Sequence, residues 1–317
     1  MRAWLREGAA AARIAADRAD LWPAGALASL TFLGWLPLLL AVARVDVGDV
    51  TFLASDLRKS SAYPANVIAL GAAVVAGAML LCLLAAMAET ALTRAAFASQ
   101  RARTTFAEGA LQGLTVILAC ALPAALAMAA LLLGTAAMAP EEFQAPDLGV
   151  PLPLRLAGDL APFLAAFVLA VLVGQAIGGA ALRRVSAPEP QPVSLALARS
   201  ARELIRQPAQ RLGLALAGLV ADVLALALTY AVLRVLWAPI ASDLDAGRLA
   251  RPDTLLLLVG FVAIWLALLL AAGALHVMLS AWWALELAEV EAAARGAVEA
   301  VQPDARGGST DDAQPLP

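Results

Sequence analysis

Six long apolar stretches, each more than 20 residues long, restrict this chain to a lipid environment. As a helix with a rise of 1.5 Å per residue, a stretch of about 20 residues crosses the hydrocarbon core of a bilayer. Barrel strands are shorter and alternate in polarity, so these stretches favour helices. We predict membrane spans over residues 22–43, 64–88, 109–138, 157–182, 212–238 and 254–282.

The composition agrees with a membrane location. Hydrophobic residues make up 62% of the chain and charged residues 15%, against about 45–50% and about 25% in a typical soluble domain. A soluble fold of this size would lack the polar groups needed to cover its surface. The net charge is −3, which provides no extended positive field, so we expect no nucleic-acid partner.

The distribution of basic residues predicts an orientation. Of the 22 Lys and Arg residues, 15 lie in the N-terminal segment, in 89–108, in 183–211 and in the C-terminal region. Cytoplasmic segments of membrane proteins carry such an excess of Lys and Arg. We therefore expect a multi-pass protein of a bacterial cytoplasmic (inner) membrane, with both termini in the cytoplasm.

The connecting segments predict an all-α integral membrane fold of six transmembrane helices arranged as three hairpins. Segments that mix apolar and charged residues are expected to form cytoplasmic interfacial helices, one before each hairpin. A further helix continues past the last span, so residues 1–302 form one transmembrane domain, and the polar segment 303–317 is expected to be a disordered tail. The interfacial helices are predicted over 3–20, 89–108 and 193–207, and the C-terminal helix over 283–302.

The segment ALARSARELIRQPAQRLGLALAGL, residues 196–219, resembles a group of bacterial six-helix membrane proteins. The group includes an uncharacterised inner-membrane family and the membrane domain attached to some glycerophosphodiester phosphodiesterases. The matching positions here are Ala196, Leu197, Ser200 and Arg211. The chain has a single His and no phosphodiesterase domain, so the resemblance implies an architecture and no activity.

Three polar residues within the spans are candidates for a functional cluster. Asp222 lies about 16 Å into the fifth span and His276 about 9 Å from one end of the sixth, by the rise per residue; Gln175 lies in the fourth span. Ionisable groups inside a bilayer are costly and often functional, so such a cluster is suited to relaying a proton or binding a cation. The alternative is structural, with these groups joining helices by hydrogen bonds.

Small residues spaced four apart predict close helix packing. Intramolecular packing and a homo-oligomer seam are both compatible with this spacing. The pairs are Gly174 and Gly178, Ala73 and Gly77, and Gly213 and Ala217.

No arrangement of residues in the sequence indicates catalysis, a metal site or a cofactor. We therefore expect a non-catalytic membrane protein, an accessory or envelope-associated factor whose partners are the bilayer, inner-leaflet anionic headgroups and a further protein. The alternative is a small-molecule, ion or lipid permease that uses Asp222, His276 and Gln175.

Overall fold

A computed structural model of the chain describes residues 2–43, 59–96, 105–144, 158, 160–187, 189–247 and 251–301. Within these ranges the chain is helical apart from short turns. Its α-helices are α1 (Arg2–Asp17), α2 (Trp22–Ser29), α3 (Leu36–Val42), α4 (Ala65–Ala96), α5 (Phe106–Gln144), α6 (Ala161–Ser186), α7 (Val193–Arg206), α8 (Pro208–Asp245) and α9 (Pro252–Val301).

In the described part of the chain, six helical segments are long and apolar enough to cross a membrane, which agrees with the predicted number of spans. The chain is therefore a multi-pass membrane protein. Several helices extend well beyond the predicted spans, since α8 continues to Asp245 and α5 to Gln144. The six segments are Ala19–Val42, Ala65–Ala95, Phe106–Gly134, Ala161–Ser186, Pro208–Asp245 and Pro252–Ala288.

The first span is interrupted at its centre. A π-helical segment, Leu30–Trp35, separates α2 from α3, and Pro37 lies at the start of α3. Proline has no N–H to donate, and π segments arise where the regular helical ladder is disturbed. The indole of Trp265 donates a hydrogen bond to the carbonyl of Gly34 at 3.1 Å. This contact satisfies a backbone carbonyl in a segment where hydrocarbon offers no donor.

Helix α1 packs against α9. Gly8 faces the ring of Trp282, with its missing Cβ position 3.3 Å from the ring. Helix α1 is joined to α2 by a short 3-10 turn, Ala19–Leu21, and the Trp22 indole donates to the carbonyl of Ala15 at 2.8 Å. The segments 3–20 and 193–207 are therefore largely helical, as α1 and α7, and their placement at a membrane interface stays a prediction.

The separate helix expected over 89–108 is not found in its described part. Residues 89–96 continue α4 without a break, and α5 begins at Phe106. Glu89 and Thr90 are buried there, and the Thr90 hydroxyl lies 3.4 Å from that of Ser186 in α6. Contact with α6 therefore keeps this segment inside the bundle; residues 97–104 lie outside the described ranges.

At its other end, the C-terminal helix predicted over 283–302 is the continuation of α9, which runs unbroken to Val301. The tail predicted over 303–317 lies outside the described residues.

Close helix packing occurs at some of the predicted glycines and not at others. A Cβ on Gly174 would lie 2.6 Å from the Cys120 carbonyl oxygen, and one on Gly178 would lie 3.3 Å from the Cys120 side chain. These two glycines, for which packing was expected, therefore allow α5 and α6 to approach closely.

The packing role expected of Ala73, Gly77 and Gly213 is not found among the described residues. A Cβ on Gly77 or on Gly213 would meet nothing within 4 Å, and Ala73 is exposed. Ala217, four residues after Gly213, is half-buried. The spacing alone does not decide the contact, because these faces of α4 and α8 point away from neighbouring helices.

The tightest contact was not predicted. A Cβ on Gly25 would lie 2.2 Å from the carbonyl oxygen of Gly273, and one on Gly273 would lie 2.3 Å from the carbonyl oxygen of Trp22. The backbones of α2 and α9 thus touch directly, which fixes the first span against the last.

Candidate functional site

A buried network around Glu89 joins three helices at the end of the bundle where α6 terminates. The Glu89 carboxylate accepts a bond from Arg183 Nη2 at 3.0 Å and one from the Ser280 hydroxyl at 3.2 Å. Its other oxygen lies 2.7 Å from His276 Nε2. We call these four residues the Glu89 network.

Arg183 completes the Glu89 network from the last turn of α6. It is 4% exposed, and its guanidinium also donates to the Ser280 hydroxyl at 2.8 Å and to the Gly179 carbonyl at 3.2 Å. A cation at this position also interacts favourably with the negative end of the α6 dipole. Its charge balances that of Glu89, which a buried carboxylate requires.

A second network fixes α7 to the same end of the bundle. Glu203 of α7 is bridged between Arg184 of α6 and Arg211 of α8, with the Arg211 bond at 2.8 Å. Arg184 also donates to the Ser200 hydroxyl at 2.7 Å. Arg184 and Arg211 are nearly fully buried. We call these four residues the Glu203 network.

Arg211 links the Glu203 network to α9. Its Nη1 lies 3.5 Å from a carboxylate oxygen of Glu286, and its guanidinium lies 6.0 Å from the centre of the Trp283 ring. Both arginine and glutamate are 1% exposed. Charges buried to this degree require partners, so this end of α9 is fixed to α8 by charge as well as by packing.

The three predicted polar residues line one cavity. A central cavity of about 370 Å³ lies between α5, α6, α8 and α9, and Asp222, Gln175 and His276 all face it. Glu89, Arg183 and Ser280 of the Glu89 network line the same cavity. The fold therefore brings together the residues that the sequence suggested, and it adds the Glu89 network to them.

The rest of the cavity wall is mainly apolar. It is formed by residues that include Val116, Ile117, Leu214, Leu279 and Trp283. A pocket of this kind, with an apolar wall and a few polar groups, is typical of small-molecule sites, and its volume is near the lower end of their range of about 300–1,000 Å³.

Asp222 and Gln175 have no hydrogen-bond or ion-pair partner among the described residues, and both are half-buried. Inside a bilayer, water does not satisfy polar groups that face hydrocarbon, and an unpaired carboxylate is costly. Both residues line the cavity, so a ligand bound there would lie beside them. This position argues against the structural reading in which both residues join neighbouring helices.

Two carboxylates line the cavity, one held in a close ion pair and one without such a pair. Glu89 forms a close ion pair with Arg183, whereas Asp222 has no hydrogen bond or close ion pair in the described ranges and only the longer-range attraction of His276. The arrangement suits a ligand with one positive charge. In the short contact between His276 and Glu89, the carboxylate accepts and the imidazole Nε2–H donates.

Sequence reasoning missed both networks. Glu89 bonds to Arg183, and Arg94, which is nearer in the chain, donates instead to the Thr105 carbonyl at 2.9 Å. The available signal was the adjacent pair Arg183 and Arg184 directly after an apolar run. That pair was counted only as part of the positive charge that sets orientation.

The described residues include no group of three or more His, Cys, Asp or Glu side chains placed to hold a metal ion. No known family model matches this chain, and neither a curated protein nor a solved structure matches it.

Proposed function

We propose that this chain is a permease of a bacterial cytoplasmic membrane that binds a small amphipathic monocation in the central cavity. The observation that carries the proposal is the half-buried residue Asp222, which lines the cavity with no hydrogen bond or close ion pair to any described side chain. A ligand ammonium group would supply the missing positive charge, and the apolar wall would contact the rest of the ligand. Gln175 would orient the ligand through its amide.

The architecture belongs to the same proposal. Six spans as three hairpins, with α1 and α7 lying at the cytoplasmic interface, agree with the excess of Lys and Arg on that side. The Glu89 and Glu203 networks would then close the cytoplasmic end of the bundle. The resemblance to bacterial six-helix membrane proteins, carried by residues 196–219, would describe this layout and no particular substrate.

The test is a binding titration that separates charge from shape. The purified chain is titrated with benzyltrimethylammonium, with the neutral analogue benzyl alcohol and with the anion benzenesulfonate, and Trp283 in the cavity wall contributes a fluorescence signal. We expect saturable binding of the cation, and a loss of at least tenfold in its affinity in Asp222→Asn. The quaternary ammonium has no N–H to donate, so its attraction to Asp222 is Coulombic: about 4 kcal/mol for unit charges 4 Å apart at an effective dielectric constant of 20, whereas tenfold corresponds to about 1.4 kcal/mol.

The matched control is Asp20→Asn, which removes a carboxylate that is exposed and pairs with Arg18. It should bind the cation as the unchanged chain does. Uptake of the cation into vesicles containing the chain should fall in Asp222→Asn and not in the control. Equal binding of the three probes, or no saturable binding of any of them, would contradict the permease proposal.

A second candidate is a non-catalytic accessory membrane protein that acts through its cytoplasmic face. The supporting observation is the set of exposed arginines on α7, Arg199, Arg202 and Arg206, which α7 presents while the Glu203 network fixes its other side. Anionic headgroups or a protein partner would contact this face. Absence of cation binding in the titration would favour this candidate.

A further inference from the structure

A second recess lies on the other side of the α5–α6 contact. This lateral groove has a volume of about 410 Å³ and is lined only by apolar and small residues of α5, α6 and α7. It is separate from the Asp222 site, although Cys120 and Gly174 contribute to the walls of both.

The groove exists because its walls are built from small side chains. Helices α5 and α6 contact each other closely at Cys120 and Gly174, and alanines such as Ala119 and Ala170 leave space beside that contact. If the groove were empty, the side chains that line it would lose the dispersion contacts that an occupant provides. In a bilayer the surrounding molecules that can fill it are acyl chains.

Helix α7 closes one end of the groove and carries positive charge on its exposed side. Leu197, Ala198 and Ala201 face the groove, while Arg202 follows directly and is exposed. Arg199 and Arg206 lie on the same exposed face as Arg202, as the helical period requires. The one acidic side chain of α7, Glu203, is already bonded to Arg184 and Arg211. The free charge on this helix is therefore positive.

The Glu203 network holds α7 in a fixed position relative to the groove. Ser200 and Ala196 are buried against the bundle, and Ile205 on the opposite side is 79% exposed. The exposed arginines and the apolar groove are thus placed to bind the charged head and the apolar tail of an amphiphile. Because α7 is already fixed, it loses little conformational freedom on binding. An exposed isoleucine beside the arginines is typical of a helix that contacts the lipid interface.

We propose that the lateral groove binds one acyl chain of an anionic phospholipid, whose phosphate is held by Arg202 with Arg199 and Arg206 nearby. Arginine is suited to this role because its planar guanidinium pairs with phosphate oxygens in a bidentate manner. The lipid would lie along α5 and α6 with its headgroup at α7. This site is independent of the cation site at Asp222.

The test is native mass spectrometry of the full chain, released from detergent and titrated with phosphatidylglycerol or with phosphatidylcholine of identical acyl chains. We expect the first phosphatidylglycerol to bind at least fivefold more tightly than the first phosphatidylcholine. Arg202→Gln should bring the two affinities within twofold. Ala170→Trp, which fills the groove, should weaken both lipids by at least threefold.

The matched controls change the same residue types elsewhere. Arg13→Gln removes an exposed charge from α1, and Leu169→Trp places the indole at an exposed position next to Ala170. Both should bind lipid as the unchanged chain does. Should Ala170→Trp fail to fold, Ala198→Leu narrows the groove from the α7 side and is expected to weaken both lipids in the same way.

Three results would overturn the proposal: equal binding of the two lipids by the unchanged chain, a full preference retained by Arg202→Gln, or unchanged affinities when the groove is filled. A loss in Arg13→Gln as large as that in Arg202→Gln would show a general charge effect and would also overturn it. Cation binding at Asp222 should be unchanged in Arg202→Gln, so the lipid proposal and the permease proposal are tested independently.

Discussion

Arg183 is the residue on which the Glu89 network depends. It is 4% exposed and donates to a carboxylate, a hydroxyl and a carbonyl from three different residues. Breaking a buried ion pair by removing one partner is strongly destabilising because the other charge stays buried. Replacing both partners with uncharged groups of similar size has a much smaller effect.

We therefore expect Arg183→Met to lower the free energy of unfolding by about 3–5 kcal/mol. The double variant Arg183→Met/Glu89→Gln should recover most of that loss, because no carboxylate then remains buried without its guanidinium. Thermal unfolding of the purified chain in detergent measures both. The control is Arg199→Met, which removes an exposed arginine and should leave the midpoint unchanged. Similar midpoints for Arg183→Met and Arg199→Met would show that the Glu89 network does not stabilise the fold.

At the residue scale the sequence located three polar groups that line the cavity but not the Glu89 network beside them. Asp222, Gln175 and His276 stand out because polar groups are rare within apolar spans. Glu89 and Arg183 do not stand out, because charges at span ends are common and usually contact water or headgroups. Only the approach of α4, α6 and α9 shows that these two side chains are buried and paired.

At the scale of helices, α2 and α9 approach each other more closely than any other pair of helices that meets at a described glycine. Added Cβ atoms on Gly25 or Gly273 would lie 2.2 Å and 2.3 Å from backbone oxygens. Backbone atoms cannot rotate away as a flexible side chain can, so any larger residue forces the two helices apart. The apolar periodicity of the two segments gives no indication of this contact.

We expect Gly273→Ala to destabilise the chain strongly, with a loss of several degrees in its unfolding midpoint, because α2 must shift away from α9. Gly77→Ala is the control, since a Cβ there meets nothing within 4 Å and the midpoint should stay within one degree or rise. Circular dichroism during heating in detergent measures both variants. A Gly273→Ala midpoint equal to that of Gly77→Ala would contradict the direct backbone contact.

The helices themselves were predictable to a large degree. Long apolar runs located all six spans, and the amphipathic pattern of 193–207 located α7. The helix expected over 89–108 was wrong in its described part because charged residues there were assumed to seek the interface. Glu89 instead forms a buried ion pair with Arg183, and residues 89–96 continue α4 inside the bundle.

For the whole molecule, the arrangement of six spans determines which segments share a side of the membrane. Helix α1 contacts the later part of α9 through Gly8 and Trp282, so these segments lie at the same end of the bundle. Ala62 lies just before the start of α4, whereas Glu89 lies near its end. Ala246 lies just after the end of α8, whereas Arg211 lies near its start. In the expected arrangement of three antiparallel hairpins, these two residues, Ala62 and Ala246, would lie at the opposite end.

The expected topology is tested with single cysteines in a Cys82→Ala/Cys120→Ala background. Ala9→Cys and Gln207→Cys should react with a membrane-impermeant maleimide from one side of sealed vesicles, and Ala62→Cys and Ala246→Cys only from the other, since all four positions are exposed. Inverted vesicles should give the reverse pattern. Labelling of Gln207→Cys and Ala246→Cys from the same side would contradict the crossing by α8.

The sequence by itself determined that the chain is a helical, multi-pass membrane protein, because the hydrophobic effect and the length of a bilayer act on local runs of residues. It also identified Asp222, Gln175 and His276, because a polar group in such a run is conspicuous. Only the tertiary structure decided that these residues share a cavity, that Glu89 pairs with Arg183, and that Gly25 meets Gly273. Each of these contacts joins residues far apart in the chain, and local periodicity carries no information about which helices become neighbours.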